Sequence, residues 1–244
     1  MGNIYHKVGI NMLKYELIAE RIESLINNGH YEAGDKLPSV EVLRSEFNVS
    51  KSTIINALKN LEKTGLIYQA RGSGIYVRNP KRDGFVNLFT ADGFSDEFKG
   101  HDVTSKILKV AEIQPEDDIK QQLKLKDNDT VYLVDRVRYL DGEVFCIETS
   151  YFSKNVVLYM NEEIANGSIF HYIENNLKVK VGFTDIYFNI GKLNKEDATH
   201  LELNEGDPSL EYEQIFYTST GIPFDYSKII FHYENSRFYI PSIK

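Results

Sequence analysis

KLPSVEVLRSEFNVSKSTIINALKNLEKTGL, from Lys36 to Leu66, decides how this chain is read. Over Lys51–Lys63 the apolar residues Ile54, Ala57, Leu58 and Leu61 fall at i, i+3, i+4 and i+7, the spacing of one helical face. Ser52, Ile55, Asn56 and Lys59 repeat that spacing on the opposite face, with Lys63 one turn on. Ser50 stands where a residue caps this helix, and Gly65 where a left-handed residue ends it. Upstream, Ser39 is placed to cap a second helix that turns Val42, Leu43 and Phe47 inward, and Asn48-Val49 makes the turn between the two. Two short helices around a tight turn fit a helix-turn-helix, whose second helix enters the DNA major groove with short donors on its outer face. An ordinary helical hairpin with a solvated face fits the same residues.

The next residues favour the first reading. Leu66-Ile67-Tyr68-Gln69, Ala70-Arg71-Gly72-Ser73-Gly74 and Ile75-Tyr76-Val77 read as strand, glycine turn and strand. Behind a helix-turn-helix such a hairpin is a wing. Its glycines let backbone approach a phosphate or enter the minor groove, and Arg71 supplies charge.

The span LPSVEVLRSEFNVSKSTIINALKNLEKTGLIYQARGSGIYV resembles the winged helix of GntR-type bacterial transcription regulators, over about the first 79 residues. The resemblance implies DNA contacts from Lys36, Ser39, Ser50, Lys51, Ser52, Thr53, Ile55, Asn56 and Lys59, and from Arg71, Gly72, Ser73 and Gly74 of the wing. Val40-Glu41 stands where that family usually has Glu-Arg, Ile55 where it has Arg, and Ser73 where the wing tip often has Arg. Losing guanine-reading arginines weakens phosphate attraction and moves the expected operator towards A·T steps, where Ile55 can meet a thymine methyl.

The 244 residues are enough for a small and a larger domain, and 42% hydrophobic with 26% charged residues is ordinary for a soluble globular protein. No apolar run approaches a membrane span and the N-terminus lacks a secretory apolar region, so a cytoplasmic location is expected. The lone Cys146 excludes an internal disulfide and a cysteine-cluster metal site. Net charge is −8, but unevenly spread. Residues 1–79 carry 10 Lys+Arg against 8 Asp+Glu, +2, and the remainder 18 against 28, −10. The acidic half would repel DNA and leave contact to a weakly basic head, whose affinity then depends on dimerisation.

Leu13–Asn28 reads as a helix with Leu17, Ile18, Ile22, Leu25 and Ile26 inward, and Tyr31–Asp35 as a turn. Asn79-Pro80-Lys81-Arg82-Asp83-Gly84 is short, polar and proline-bearing, which gives a DNA-binding domain over 1–79, a linker over 80–86 and a second domain over 87–244. There Thr130–Leu140 and Val144–Phe152 alternate around Asp141-Gly142, a hairpin signal. Further strands are expected at Val103–Ile113, Val179–Ile190, Ser209–Thr218, Pro223–Tyr233 and Phe238–Ile243, and helices at Pro115–Leu123, Ser168–Asn176 and Lys195–Leu201. This is an α+β domain on a mainly antiparallel sheet.

Alternation places Tyr132, Val134, Arg136 and Arg138 on one sheet face and Val131, Leu133, Asp135, Val137 and Tyr139 on the other. Two mid-strand arginines among apolar neighbours are costly to bury unless something anionic meets them. A solvent-facing edge or internal ion pairs would also account for them. The side on which Glu148 lies depends on register. A two-residue Asp141-Gly142 loop puts it opposite the arginines; a three-residue Leu140-Asp141-Gly142 loop, with Gly142 as bulge residue, puts it with them.

RVRYLDGEVFCIETSYF, SIFHYIE, GIPFDYSKIIF and SRFYI resemble the UTRA effector domain of the HutC subfamily, which has a chorismate lyase-like fold. Members that sense phosphorylated sugars hold the phosphate with a loop after the linker, two strand arginines and a serine opening a helix. The resemblance therefore implies Gly93, Phe94 and Ser95, Arg136 and Arg138, and Ser168, with Glu148 and Asp225 on sugar hydroxyls, which favours the three-residue loop. Backbone amides at a helix start with two guanidiniums suit a phosphate. Phe170 and Phe231 stand where amino-sugar-phosphate sensors tend to carry tyrosines, and Phe170 fits a core position equally.

The six histidines show no metal spacing, and the chain has no Gly-x-Ser-x-Gly elbow, Walker loop or Rossmann loop. No cofactor is expected. A lyase-like fold alone establishes no catalysis. The reading is a homodimeric repressor on a pseudo-palindromic operator, whose C-terminal domains, over 87–244, pair and sense a phosphorylated sugar through ordering of the Gly93–Ser95 loop beside the linker. A carboxylate sensor is the first alternative, and a lyase-like enzyme with an assembly domain the second.

Overall fold

The computed structural model describes residues 13–79, 84–87, 98 and 101–241. The chain divides into two compact units, Met1–Phe89 with Tyr239–Lys244, and Thr90–Phe238.

The first unit holds α1 (Lys14–Asn27), β1 (Lys36–Leu37), α2 (Val40–Phe47), α3 (Lys51–Lys63), β2 (Ile67–Ala70) and β3 (Gly74–Val77). Local chemistry sets its joints. Ser39 Oγ accepts from the Val42 amide at 3.4 Å and Ser50 Oγ from the Thr53 amide at 3.2 Å, so both serines cap as their positions predict. Asn48 takes the left-handed conformation (φ 50°) that lets α2 stop and α3 begin three residues on. Ile54, Ala57, Leu58 and Leu61 pack with Ile18, Ile22, Leu43, Ile67, Ile75 and Val77 into one core. Val42, expected inward, is instead 47% exposed. The inward face of α2 is Val40, Leu43 and Phe47, at i, i+3 and i+7, with Val42 rotated off it. Leu17 is likewise exposed, one residue out of phase with Ile18 and Ile22. The two-residue strand β1 joins the wing in the order β1-β3-β2. It is too short to leave a periodic signal.

The second unit is built on an antiparallel six-stranded sheet in the order β5-β6-β7-β10-β9-β8. Its strands are β5 (Val103–Ile113), β6 (Val131–Leu140), β7 (Glu143–Ser153), β8 (Val181–Lys192), β9 (Pro208–Thr218) and β10 (Pro223–Phe231). The chain also forms the two-residue strands β4 (Val86–Asn87) and β11 (Phe238–Tyr239), the latter far shorter than the strand expected over Phe238–Ile243. Helices α5 (Glu162–Asn166) and α6 (Ile169–Asn175) cover one face through Ala165, Ile169 and Ile173, which meet Val134, Phe152 and Phe216. On the other face α4 (Asp117–Leu123) packs Ile119 and Leu123 against Val131, Ile215 and Tyr226, and α7 (Lys195–His200) packs Ala198 against Val137 and Ile147. The five-residue α5 has no counterpart among the helices expected from sequence.

The β6–β7 hairpin follows neither expected register. Leu140 pairs with Glu143, so the turn is the two-residue Asp141-Gly142, both with positive φ (52° and 86°), and the favoured three-residue loop does not form. Tyr139 pairs with Val144 but Arg138 with Cys146, leaving Phe145 as an extra residue in β7. That bulge reverses the face of everything beyond it, and Arg136 pairs with Glu148.

Candidate functional sites

In the first unit α3 leaves Lys51, Ser52, Asn56 and Lys59 exposed and Ile55 half-buried beside them, one continuous outer stripe. The start of that stripe is hydrogen-bonded within itself. Ser50 Oγ lies 2.9 Å from Ser52 Oγ and 2.7 Å from Thr53 Oγ1, so Ser50 and Thr53 shape the helix start and Ser52 carries the hydroxyl outward. Ser39, engaged in its own cap, does the same for α2. At the wing Arg71, Gly72 and Ser73 are exposed between β2 and β3. Lys36 lies along Gly74, where a Cβ would collide with its Cε, and its ammonium stands 5.8 Å from the Tyr76 ring.

Three features of this surface were not nominated from sequence. Glu41 Oε1 is 3.0 Å from Lys51 Nζ and its Oε2 3.2 Å from Arg44 Nη1, so a carboxylate sits on the first cation of α3. Lys51 holds the Glu41 carboxyl below its ordinary range. Lys14 and Arg44 join Asn48 and Thr53 in lining a polar cleft of about 610 Å³ at the start of α3. Tyr68 stacks on Tyr76, with ring centroids 5.5 Å apart. The excess of basic residues over acidic ones in residues 1–79 hinted at Lys14 and Arg44; nothing local singled them out.

The second unit carries a buried polar row across β6, β7 and β10. Arg136 Nε donates to Glu148 Oε2 at 2.9 Å and its Nη2 to Oε1 at 3.0 Å, a two-point pairing, while Arg138 Nη1 donates to the same Oε2 at 3.2 Å. Arg136 Nη1 also donates to the Ala165 carbonyl at 2.5 Å, tying β6 to α5. From Glu148 the row continues through Ser150, 3.3 Å from Oε1, to Ser227 at 2.8 Å, and Ser227 Oγ donates to Asp225 Oδ1 at 2.8 Å. Arg136, Arg138, Glu148 and Asp225 are all buried.

Burial alone would raise the Glu148 carboxyl, but the two guanidiniums outweigh it and hold the group down at about 2. Burial, with repulsion from Arg136, draws Arg138 down to about 10, which leaves it charged at neutral pH. Asp225 is pushed well above the carboxylate range by burial and by the Glu148 charge, against the donation from Ser227. The row therefore holds two guanidiniums, the Glu148 carboxylate and Asp225, an acid whose burial favours its neutral form.

The residues proposed from sequence are only partly brought together. Arg136, Arg138, Glu148 and Asp225 form one network. Ser168 caps α6, accepting from the His171 amide at 3.3 Å, three residues after Ala165. Phe170 packs on Phe216 at 4.5 Å between centroids, a core contact. Phe231 is buried among Phe145, Tyr212 and Phe238. Gly93, Phe94 and Ser95 lie outside the described residues. Ser150 and Ser227 were missed, because only the β7–β10 pairing brings them together.

A winged helix-turn-helix followed by a sheet domain with a buried, charged row is the build of a DNA-binding regulator with an effector domain. Residues 14–77 match the family model of bacterial regulatory proteins, gntR family, and residues 99–237 that of the UTRA domain. The chain is 44% identical over 94% of its length to the HTH-type transcriptional regulator YydK of Bacillus subtilis, covering 97% of that protein. The crystal structure of YydK superposes with a TM-score of 0.82 over 95% of this chain and 100% of that one, at 43% identity. The chain is also 30% identical to GmuR of B. subtilis, over 88% of this chain and 92% of that protein. It is 27% identical to MngR, the mannosyl-D-glycerate transport/metabolism system repressor of Escherichia coli, over 92% and 93%. The chain belongs to the GntR family of bacterial transcriptional regulators, in its UTRA-bearing form. The relatives it matches are regulators, not enzymes. Among the described residues no helix is long and apolar enough to cross a membrane.

Proposed function

We propose that this chain is a cytoplasmic, homodimeric repressor of the HutC subfamily whose operator affinity is set by a phosphorylated sugar bound in the second unit. The observation that carries the effector reading is the pairing of Arg136 and Arg138 on a single shared carboxylate beneath α5, with Ser168 opening the next helix. An incoming phosphate takes guanidinium donors over from Glu148 and accepts from amides at a helix start, and the Glu148 oxygens so released, with Asp225, meet sugar hydroxyls. A repressor of a sugar-derivative system among the relatives supports the sugar. DNA is read by Lys51, Ser52, Ile55, Asn56 and Lys59 in the major groove, with Arg71–Gly74 at the adjacent backbone. Two copies match a pseudo-palindromic site.

A thermal-shift panel of sugar phosphates and their unphosphorylated partners tests the effector, on wild type, Arg136→Ala and Ser168→Ala. Stabilisation by phosphates alone, lost in Arg136→Ala and weakened in Ser168→Ala, is expected. Guanidiniums also pair with carboxylates in two-point fashion, so stabilisation by carboxylic acids alone would replace the sugar phosphate with a carboxylate metabolite.

A further inference from the structure

The chain crosses between its two units twice, between residues 89 and 90 and between 238 and 239. Phe98 follows the first crossing, Phe238 precedes the second, and both belong to one aromatic cluster. Phe98 stands edge-on to Phe145 with centroids 5.1 Å apart, Phe231 packs on Phe145 at 5.6 Å, and Phe238 on Phe231 at 4.6 Å. Phe145 is the bulge residue that β6 does not pair. A bulge leaves backbone groups outside the ladder, and here the last segment of the unit takes them up. The Phe145 carbonyl accepts from the His232 amide at 2.9 Å and from Ser236 Oγ at 3.5 Å, and the Val144 carbonyl from Asn235 Nδ2 at 3.0 Å. The first segment is held to the turn of the same hairpin. The His101 amide donates to the Phe98 carbonyl at 3.0 Å, His101 Nδ1 lies 2.6 Å from Asp141 Oδ2, and the Asp102 amide donates to Asp141 Oδ1 at 2.9 Å.

We propose that the Phe145 bulge couples the Arg136–Glu148 pairing to both chain crossings, so that a ligand drawing the guanidiniums off Glu148 repacks Phe98 and Phe238 together. This rests on the effector reading above and names how that site is regulated. Glu148 follows the bulge on the same strand, and its bonds to Arg136 and Arg138 fix where that strand sits beyond the extra residue. Strand registers are discrete, because a slip of one residue reverses every face. A close-packed cluster of rings does not absorb such a change by degrees; it repacks as a unit. Coupling free energy is also reciprocal. A change at one crossing therefore reaches the other through Phe145.

That reciprocity supplies a test without ligand: hydrogen exchange of the full chain, read amide by amide by NMR, for wild type, Phe98→Leu, Phe238→Leu and Glu148→Gln. Leucine keeps each position apolar and removes the ring contact. Phe98→Leu is expected to speed exchange of the His232 and Asn235 amides, and Phe238→Leu that of the His101 and Asp102 amides, each several-fold and up to about tenfold. Glu148→Gln is expected to speed both pairs. The ladder amides of β8 and β9 report global stability and are expected to keep their wild-type rates. Should Glu148→Gln fail to fold, the two leucine variants decide alone. If each leucine substitution leaves the other crossing at its wild-type rate, the coupling is overturned, and a sugar phosphate that still stabilises the wild type spares the effector reading. Linked crossings in a protein that no phosphate or carboxylate stabilises would overturn the effector reading alone.

Discussion

Arg136 faces Glu148 because β7 spends one residue, Phe145, on a bulge between the Asp141-Gly142 turn and the site. Without the bulge Arg136 would face Ile147, and the carboxylate would point to the other side of the sheet. The Phe145 ring is held by Phe98 and Phe231 at 5.1 and 5.6 Å between centroids, so aromatic packing keeps the acid beside the bases.

Glu148 links that geometry to acid stability. Its folded value, about 2, lies below its ordinary 4.5, so its contribution is complete above about pH 4.5 and is lost as pH falls towards 2. The shift corresponds to roughly 3 kcal/mol. Glu148→Ala leaves two guanidiniums buried without their shared carboxylate and is expected to cost about 3–5 kcal/mol at pH 7. Urea unfolding from pH 2 to 7 checks both. A Glu148→Ala protein as stable as wild type at pH 7 would show that the ion pairs contribute nothing net.

Asp225 has the opposite sign. Its folded value is raised well above 3.8, so its contribution is complete below about pH 4 and declines as pH rises towards the folded value. Asp225→Asn keeps an acceptor for Ser227 and removes the titration. Its stability relative to wild type is expected to increase as pH rises above about 4, read as the difference in urea midpoint. A pH-independent difference would mean that Asp225 stays ionised in the folded protein.

The DNA-reading half was legible in sequence because its determinants are local. Caps at Ser39 and Ser50, the turn at Asn48 and the α3 stripe each depend on neighbours within a few residues. The two arginines were legible as chemistry, being unusual in mid-strand. The location of Glu148 was not, because one inserted residue decides it and that residue is selected by rings distant in sequence. Ser150 and Ser227 meet only across strands 77 residues apart. Glu41 departs from the family pattern, yet its grip on Lys51 spans the turn between two helices and leaves no periodic trace.

That grip predicts a DNA phenotype. Glu41 holds negative charge against Lys51 and Arg44 at the start of α3. Glu41→Gln keeps the shape and removes the charge, freeing both cations for phosphates. Operator affinity is expected to rise several-fold at low salt, and the slope of log K against log salt to steepen by about 0.9 per added phosphate contact. Fluorescence anisotropy on one duplex between 50 and about 200 mM salt measures this. An unchanged slope would show that neither cation reaches the backbone.

Gly65 closes α3 under two constraints. Its φ of 79° is left-handed, and a Cβ there would lie 2.6 Å from Pro241 Cβ. Conformation alone makes Gly65→Ala unfavourable by about 1 kcal/mol, and the collision adds to that unless Pro241 moves. The two costs can be separated. Truncation after Ile240 removes the proline but leaves φ unchanged, so Gly65→Ala is expected to destabilise the truncated chain less than the full chain, a coupling of order 1 kcal/mol. Equal losses in the two backgrounds would mean that the C-terminal residues yield freely and that only the backbone conformation requires glycine at this position.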